Sequence, residues 1–196
     1  MTSEASKITV HMVCSVDFFI AKKGDDSFSW LETSDTYEKG AEDEDAEGFL
    51  KTVDCWVMGS RTYETALELG WPYGDIPTFV LTHRDLPSDR DSVRFCSGDL
   101  KKFVDEELNP EYENIWVVGG ADVARDFIRS NLVDDIRITI APILLGDGVL
   151  FVDHIGKEQS LHLKDVVAKK NGFVELWYEV TEWCMPSESP PGADTN

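Results

Sequence analysis

Two consecutive glycines, Gly119 and Gly120, stand between the apolar run 115–118 and the helix-patterned stretch 121–130. Residues without a Cβ serve two ends at such a junction: they permit a tight turn, and they let a ligand reach the backbone. A helix starting there points unpaired N–H groups and partial positive charge toward the carboxyl end of the strand, where ligands bind in open α/β sheets. A turn alone explains the pair equally well, so other junctions must decide. VMGSRT, residues 57–62, repeats the form: a strand, Gly59, then a helix with Ser60 as its expected cap and Arg61 and Thr62 in the first turn. An arginine there opposes the helix dipole, a cost that makes sense if an anion lies between them. A third strand ends in Thr82, His83 and Arg84, and the arginine fork suits phosphate oxygens. Taken singly, either arginine reads as a surface residue. Three strand ends sharing donors and cations point to a phosphorylated nucleotide rather than a neutral ligand.

What is missing narrows the class. The glycines do not spell GxGxxG with an acidic ribose partner downstream, which excludes a conventional Rossmann domain, and without GxxxxGK[ST] this is no P-loop hydrolase. With 38 acidic and 18 basic residues the formal charge is −20. That field repels nucleic acid and anionic membranes, so neither is expected as a partner, and an anionic small molecule must overcome it locally. Adaptation to high salt is one reading of the charge, since salt screens self-repulsion. No apolar run approaches the roughly 18 residues of a membrane span. The opening MTSEASKITV has no basic region followed by an apolar block, so secretion is not expected. Cys14, Cys55, Cys96 and Cys184 are scattered without CxxC spacing; they read as packed thiols in a reducing, cytoplasmic setting, with no metal site.

These junctions need a scaffold. Residues 7–16, KITVHMVCSV, read as a strand. The acidic segment 32–48 reads as a solvated face or loop whose second half becomes a short helix anchored by Phe49, Leu50 and Val53. Apolar strands at 55–58, 77–82, 92–96 and 115–118 are interleaved with helices at 61–69, from Gly98-Asp99 onward, and at 121–130. Strands apolar along their whole length belong to a sheet covered on both sides by helices. At 135–142, Ile136, Ile138 and Ile140 alternate as in a half-buried strand, and residues 161–168 and 173–181 flank the hairpin turn Asn171-Gly172. The expectation is one α/β domain over 7–183, its mixed, mostly parallel sheet flanked by helices and ending in an antiparallel hairpin. Residues 184–196 lack apolar anchors and read as a disordered tail.

The segments SVDFFIA (15–21), VMGSRTYE (57–64), FVLTHR (79–84), IWVVGGADVARDFI (115–128) and DDIRITIAPILLGDG (134–148) together resemble the dihydrofolate reductase-like superfamily. Within it the match is closest to the reductase domain of bacterial riboflavin biosynthesis and its stand-alone relatives, over nearly the whole chain. The resemblance implies a dihydrofolate reductase-like fold with NADPH across the strand ends. Gly59, Ser60, Arg61 and Thr62 would contact its phosphates, and Thr82, His83 and Arg84 would lie toward the adenosine 2′-phosphate. Gly119, Gly120, Ala121, Asp122 and Val123 would cradle the diphosphate, while residues around 13–18, with Val13, Ile20 and Ala21, would line the nicotinamide side. A homodimer through the late strands is implied as well. Relatives carry glycine where this chain has Phe18, which makes for a narrower pocket or a different backbone. By the same resemblance Asp45, four residues before Phe49, fits the helical acid that protonates substrate, with Asp43 and Glu47 as alternatives, and Thr139 fits the threonine that supports it.

NADPH would supply hydride, leaving the protein to align the substrate, exclude water and deliver a proton. Asp17, leaving the first strand beside the expected pocket, is a second candidate for orientation or proton delivery; its plain alternative is a turn-forming aspartate. His11 reads as a packed, hydrogen-bonded histidine, Trp56 and Trp116 as sheet packing, and Trp30 and Trp71 as loop residues lining a substrate pocket. The expected activity is NADPH-dependent reduction of a small pterin- or pyrimidine-like compound. Its rivals are a nucleotide-binding protein of this fold without catalysis and a purely structural protein.

Overall fold

The computed structural model describes residues 6–24, 28–42 and 46–181. In chain order the strands are β1 (Lys7–Ser15), β2 (Phe19–Ala21), β3 (Cys55–Gly59), β4 (Thr78–Leu81), β5 (Val93–Cys96), β6 (Asn114–Val117), β7 (Asp135–Ala141), β8 (Val149–Leu150), β9 (Ser160–Ala168) and β10 (Val174–Thr181). Helix α1 is Ala46–Leu50, α2 Ser60–Glu68, α3 Leu100–Phe103 running on as a π-helical turn Val104–Leu108, and α4 Ala121–Arg129. The main sheet has eight strands in the order β5-β4-β3-β6-β1-β7-β10-β9, with β2 and β8 pairing separately. From β5 to β7 all pairs are parallel; β7–β10 and β10–β9 are antiparallel. This is the dihydrofolate reductase-like fold with its C-terminal hairpin.

The parallel strands are buried on both faces because helices cover both. Val10, Met12, Val57, Phe79, Val117 and Ile138 form one face, covered by Phe103, Val104 and Leu108 of the α3 segment and by Ala124, Phe127 and Ile128 of α4. Trp56, Met58, Val80 and Trp116 form the other, covered by Tyr63 and Ala66 of α2, with Phe49 and Leu50 of α1 packed alongside. Helix α3 starts where Asp99 caps it, its carboxylate accepting from the Lys102 amide at 2.7 Å. The β9–β10 turn closes with Gly172 at φ +80°, a left-handed position that suits a residue without a Cβ.

Two expectations are corrected. Helix α2 begins at Ser60, not Arg61, with Gly59 in extended conformation as N-cap and no side-chain cap. The helix therefore reaches one residue further back, to the glycine. Strand β7 is buried on both faces rather than half-buried, since Asp135, Arg137 and Thr139 are as covered as Ile136 and Ile138. On its second face Arg137 is paired with Glu175 of the neighbouring strand β10, which supplies the charge that Arg137 needs to be buried.

Candidate nucleotide and substrate site

Strands β3 and β6 are neighbours, so their carboxyl ends deliver α2 and α4 to the same place. The Gly59 amide donates to the Gly119 carbonyl at 2.7 Å, and the Val118 amide to the Val57 carbonyl at 2.9 Å. Both helices start on a glycine in extended backbone, Gly59 (φ −87°, ψ 168°) and Gly120 (φ −75°, ψ −167°), and neither has a side-chain cap. The first-turn amides of two helices thus open side by side: Ser60, Arg61 and Thr62 from α2, and Ala121, Asp122 and Val123 from α4. Gly119 holds φ +110°, and a Cβ there would sit 3.0 Å from Met12 Sδ and 3.6 Å from Thr62 Oγ1. One on Gly59 would sit 3.1 Å from Val123 Cγ2. The Gly119–Gly120 peptide is cis. The tight-turn use of glycine is met here, because side chains at these positions would press on the protein's own atoms.

Charge around this opening is mixed. Arg61 is exposed on the first turn of α2. Asp122, in the first turn of α4, has its carboxylate drawn to Arg125 at 2.6 Å, so its contribution to an anion is its amide. At the end of β4, Thr82 Oγ1 accepts from the Arg84 amide at 3.0 Å, and His83 and Arg84 are exposed. The Arg84 fork is held by a carboxylate from α2: Nη1 reaches Glu64 Oε2 at 2.9 Å and Nη2 reaches Oε1 at 2.6 Å. Hydrogen bonding from Arg84 holds Glu64 below the usual carboxylate range. The sequence did not reveal this pair, because only the packing of α2 against β4 brings the two residues together.

On the other side of the sheet centre lie the residues expected near substrate. Val13 of β1 is half-buried and in register with Thr139 of β7. Ala21 ends β2 against the loop before β8, where a Cβ on Gly148 would overlap its carbonyl oxygen. Thr139 Oγ1 lies 3.1 Å from His11 Nε2 and 3.5 Å from Glu175 Oε2, and Glu175 in turn accepts from Arg137 Nε at 2.6 Å. The Arg137 guanidinium stands over the rings of Trp116, Phe49 and Trp177 at 5.3 to 5.9 Å. The sequence does not reveal this buried polar floor, because Glu175 meets Arg137 and Thr139 only through the pairing of β10 with β7. Asp45 and Asp43 lie outside the described residues, as does the side chain of Glu47.

Asp17 holds a loop. Its carboxylate accepts from Ser15 Oγ at 2.5 Å, from the Leu145 amide at 3.0 Å and from the Gly146 amide at 2.7 Å. The Ser15 hydroxyl first, and then those amides, lower its pKa to about 2. Through these contacts Asp17 holds the loop at Leu145 and Gly146, its carboxylate accepting hydrogen bonds from both amides. Next to it Phe18 keeps φ +63°, the left-handed region that favours glycine, with its ring partly in solvent. The turn thus has a left-handed residue that is not a glycine. Trp71 is corrected from pocket lining to core: it is buried against Tyr63 and Tyr73, and its Nε1 donates to the Gly74 carbonyl at 2.7 Å. Trp30 is buried with Ala141 and Phe173 beside Val13, and among the described residues its Nε1 has no hydrogen-bond partner. Among the described residues no group of three His, Cys, Asp or Glu could hold a metal, and no helix is long and apolar enough to cross a membrane.

The sequence profile of the RibD C-terminal domain matches residues 64–174, more than half of the chain. The chain belongs to the RibD C-terminal domain family. A relative from Bacillus subtilis (strain 168), the uncharacterized protein YwjB, is 31% identical over 160 residues, covering 81% of this chain and 89% of its own. Among solved structures, a candidate riboflavin biosynthesis protein from Shewanella sp. PV-4 superposes with a TM-score of 0.76 at 24% identity, covering 90% of this chain and 99% of the other. A pyrimidine reductase-like protein from Corynebacterium diphtheriae gives 0.62 at 16% identity, over 90% and 92%. The RibD profile takes in Glu64, Arg84, the glycine pair and β7. It begins after the Gly59–Thr62 junction, so that half of the site rests on the geometry alone.

Proposed function

We propose that this RibD-family protein binds NADPH across the carboxyl ends of β3, β4 and β6 and reduces a small pterin- or pyrimidine-like compound. The observation that carries the reading is the pairing of two uncapped, glycine-led helix starts. Their amides offer six donors and two positive dipole ends to one diphosphate. Thr62 adds a hydroxyl beside the glycines, and Arg61 and Arg84 add the cations that let a strongly acidic molecule hold an anion.

NADPH, when bound, supplies the hydride. The chain's residues do the rest. Val13, Ala21 and the loop pinned by Asp17 bound the nicotinamide side and keep water out. Thr139 and His11 present a polar floor to the substrate, steadied by Glu175 and Arg137. Proton delivery is assigned to Asp45, on the family resemblance. We also assign a homodimer through the C-terminal hairpin. Register sets Leu161, Leu163 and Val166 of β9 opposite Val180, Tyr178 and Leu176, so they share one face, and they are 42 to 51% exposed. Such a stripe on an edge strand is suited to isologous pairing with a second copy.

A nucleotide-binding protein without catalysis is the second reading, favoured by one observation: the carboxylate of Asp17, a candidate for proton delivery, is committed to the Leu145 and Gly146 amides. Calorimetric titration with NADPH and NADH, for the wild type and for Arg61→Ala and Arg84→Ala, tests binding. We expect NADPH to bind tighter than NADH and each variant to weaken NADPH by about tenfold, in line with the loss of a charge-assisted hydrogen bond. Loss of reduced-nicotinamide absorbance with a panel of pterins and pyrimidines separates the two readings. Binding without turnover across the panel selects the second, and no binding of either nucleotide defeats both.

A further inference from the structure

We propose that Glu64 tunes the choice between dinucleotides with and without a 2′-phosphate, by occupying the guanidinium that such a phosphate needs. The inference rests on the placement of the adenosine end at β4 given above. Both terminal nitrogens of Arg84 are engaged by the two Glu64 oxygens, so the fork is filled as a phosphate would fill it. The two residues are set facing one another. Arg84 follows Thr82, whose hydroxyl takes its amide, and Glu64 follows Tyr63, whose hydroxyl donates to the Pro87 carbonyl at 2.9 Å and ties α2 to the same loop. The partners are 54 and 42% exposed, so the pair can open without unfolding anything.

A phosphate arriving here has two opponents. It must take the Arg84 donors from a carboxylate, and it must then remain close to that carboxylate's charge. A ribose 2′-hydroxyl, being uncharged, needs no guanidinium and is not repelled by the carboxylate. Arg61 acts on the same carboxylate, helping to keep Glu64 ionised. Glu64 therefore works against NADPH and not against NADH, and the Arg84 charge reaches a phosphate only after exchange. Sequence logic concealed this, because each arginine counted as an available cation.

The test is calorimetric titration of NADPH and NADH into the wild type, Glu64→Gln, Arg84→Ala and the double variant, with thermal melts as the check on folding. Glu64→Gln keeps the shape of the side chain and removes its charge. It is expected to tighten NADPH by about three- to fivefold, the scale of an exposed ion pair, and to leave NADH within about twofold. In the Arg84→Ala background the gain should shrink, because no fork remains to be released. An unchanged NADPH-to-NADH affinity ratio in a folded Glu64→Gln protein that binds both overturns the inference and leaves the proposed function standing. If the gain is as large without Arg84, occupation of the fork is overturned in favour of plain repulsion. Failure of the wild type to bind either nucleotide overturns the functional reading and this inference with it.

Discussion

Asp17, a candidate for orientation or proton delivery with a turn-forming aspartate as the alternative, is tied to Ser15 and to the amides of Leu145 and Gly146. The carboxylate is held at about 2 against an ordinary 3.8 by the Ser15 hydroxyl and two loop amides. A carboxyl with a depressed folded value contributes stability that is complete above its ordinary pKa and is lost as pH falls toward the folded one. Between about pH 4 and pH 2 the wild type should therefore lose stability more steeply than Asp17→Asn. Denaturant midpoints across that range measure it, and parallel slopes would count against the assignment. The sequence offered both an orienting and a turn-forming role for Asp17, and its chemistry alone could not choose, because the deciding amides of Leu145 and Gly146 arrive from far along the chain. Arg84 is the same lesson with charge: its partner Glu64 lies a helix away. Phe18 went the other way, keeping the left-handed backbone that its side chain disfavours.

Among the elements, the sheet was legible because parallel strands buried on two faces leave long apolar runs, and the hairpin because Asn-Gly marks its turn. Helix α2 was misplaced by one residue, since Gly59 can serve as N-cap and Ser60 looked the better candidate. Strand β7 was read as half-buried because its isoleucines alternate, whereas the burial of its second face depends on Glu175 from β10. The glycine junction was legible in type, and its meaning required β3 and β6 to be neighbours. Gly119→Ala should strain this junction from both sides, through φ +110° and through a Cβ 3.0 Å from Met12 Sδ. A loss of about 1–3 kcal/mol in unfolding free energy is expected, with weakened NADPH binding. Unchanged stability in a chemical-denaturation curve would show that the turn tolerates a side chain.

For the molecule as a whole, the formal charge of −20 and the exposed hairpin set the conditions of assembly. Two copies meeting along β9 bring like charges together, so the apolar stripe must outweigh repulsion that salt screens. Leu163→Glu places a carboxylate on that stripe and should convert the proposed dimer to monomer in sedimentation velocity, with the fold intact by circular dichroism. A variant that sediments as the wild-type dimer would move the interface elsewhere. The same negative field makes the donor cluster at β3 and β6 the centre of the account, because a multiply charged coenzyme binds only where local donors exceed the general repulsion. Backbone amide resonances followed during NADPH titration address that cluster directly. The largest shifts are expected at Ser60, Arg61, Thr62, Ala121, Asp122 and Val123, on both helix starts at once. Shifts confined to one helix, or centred away from the glycine pair, would contradict it.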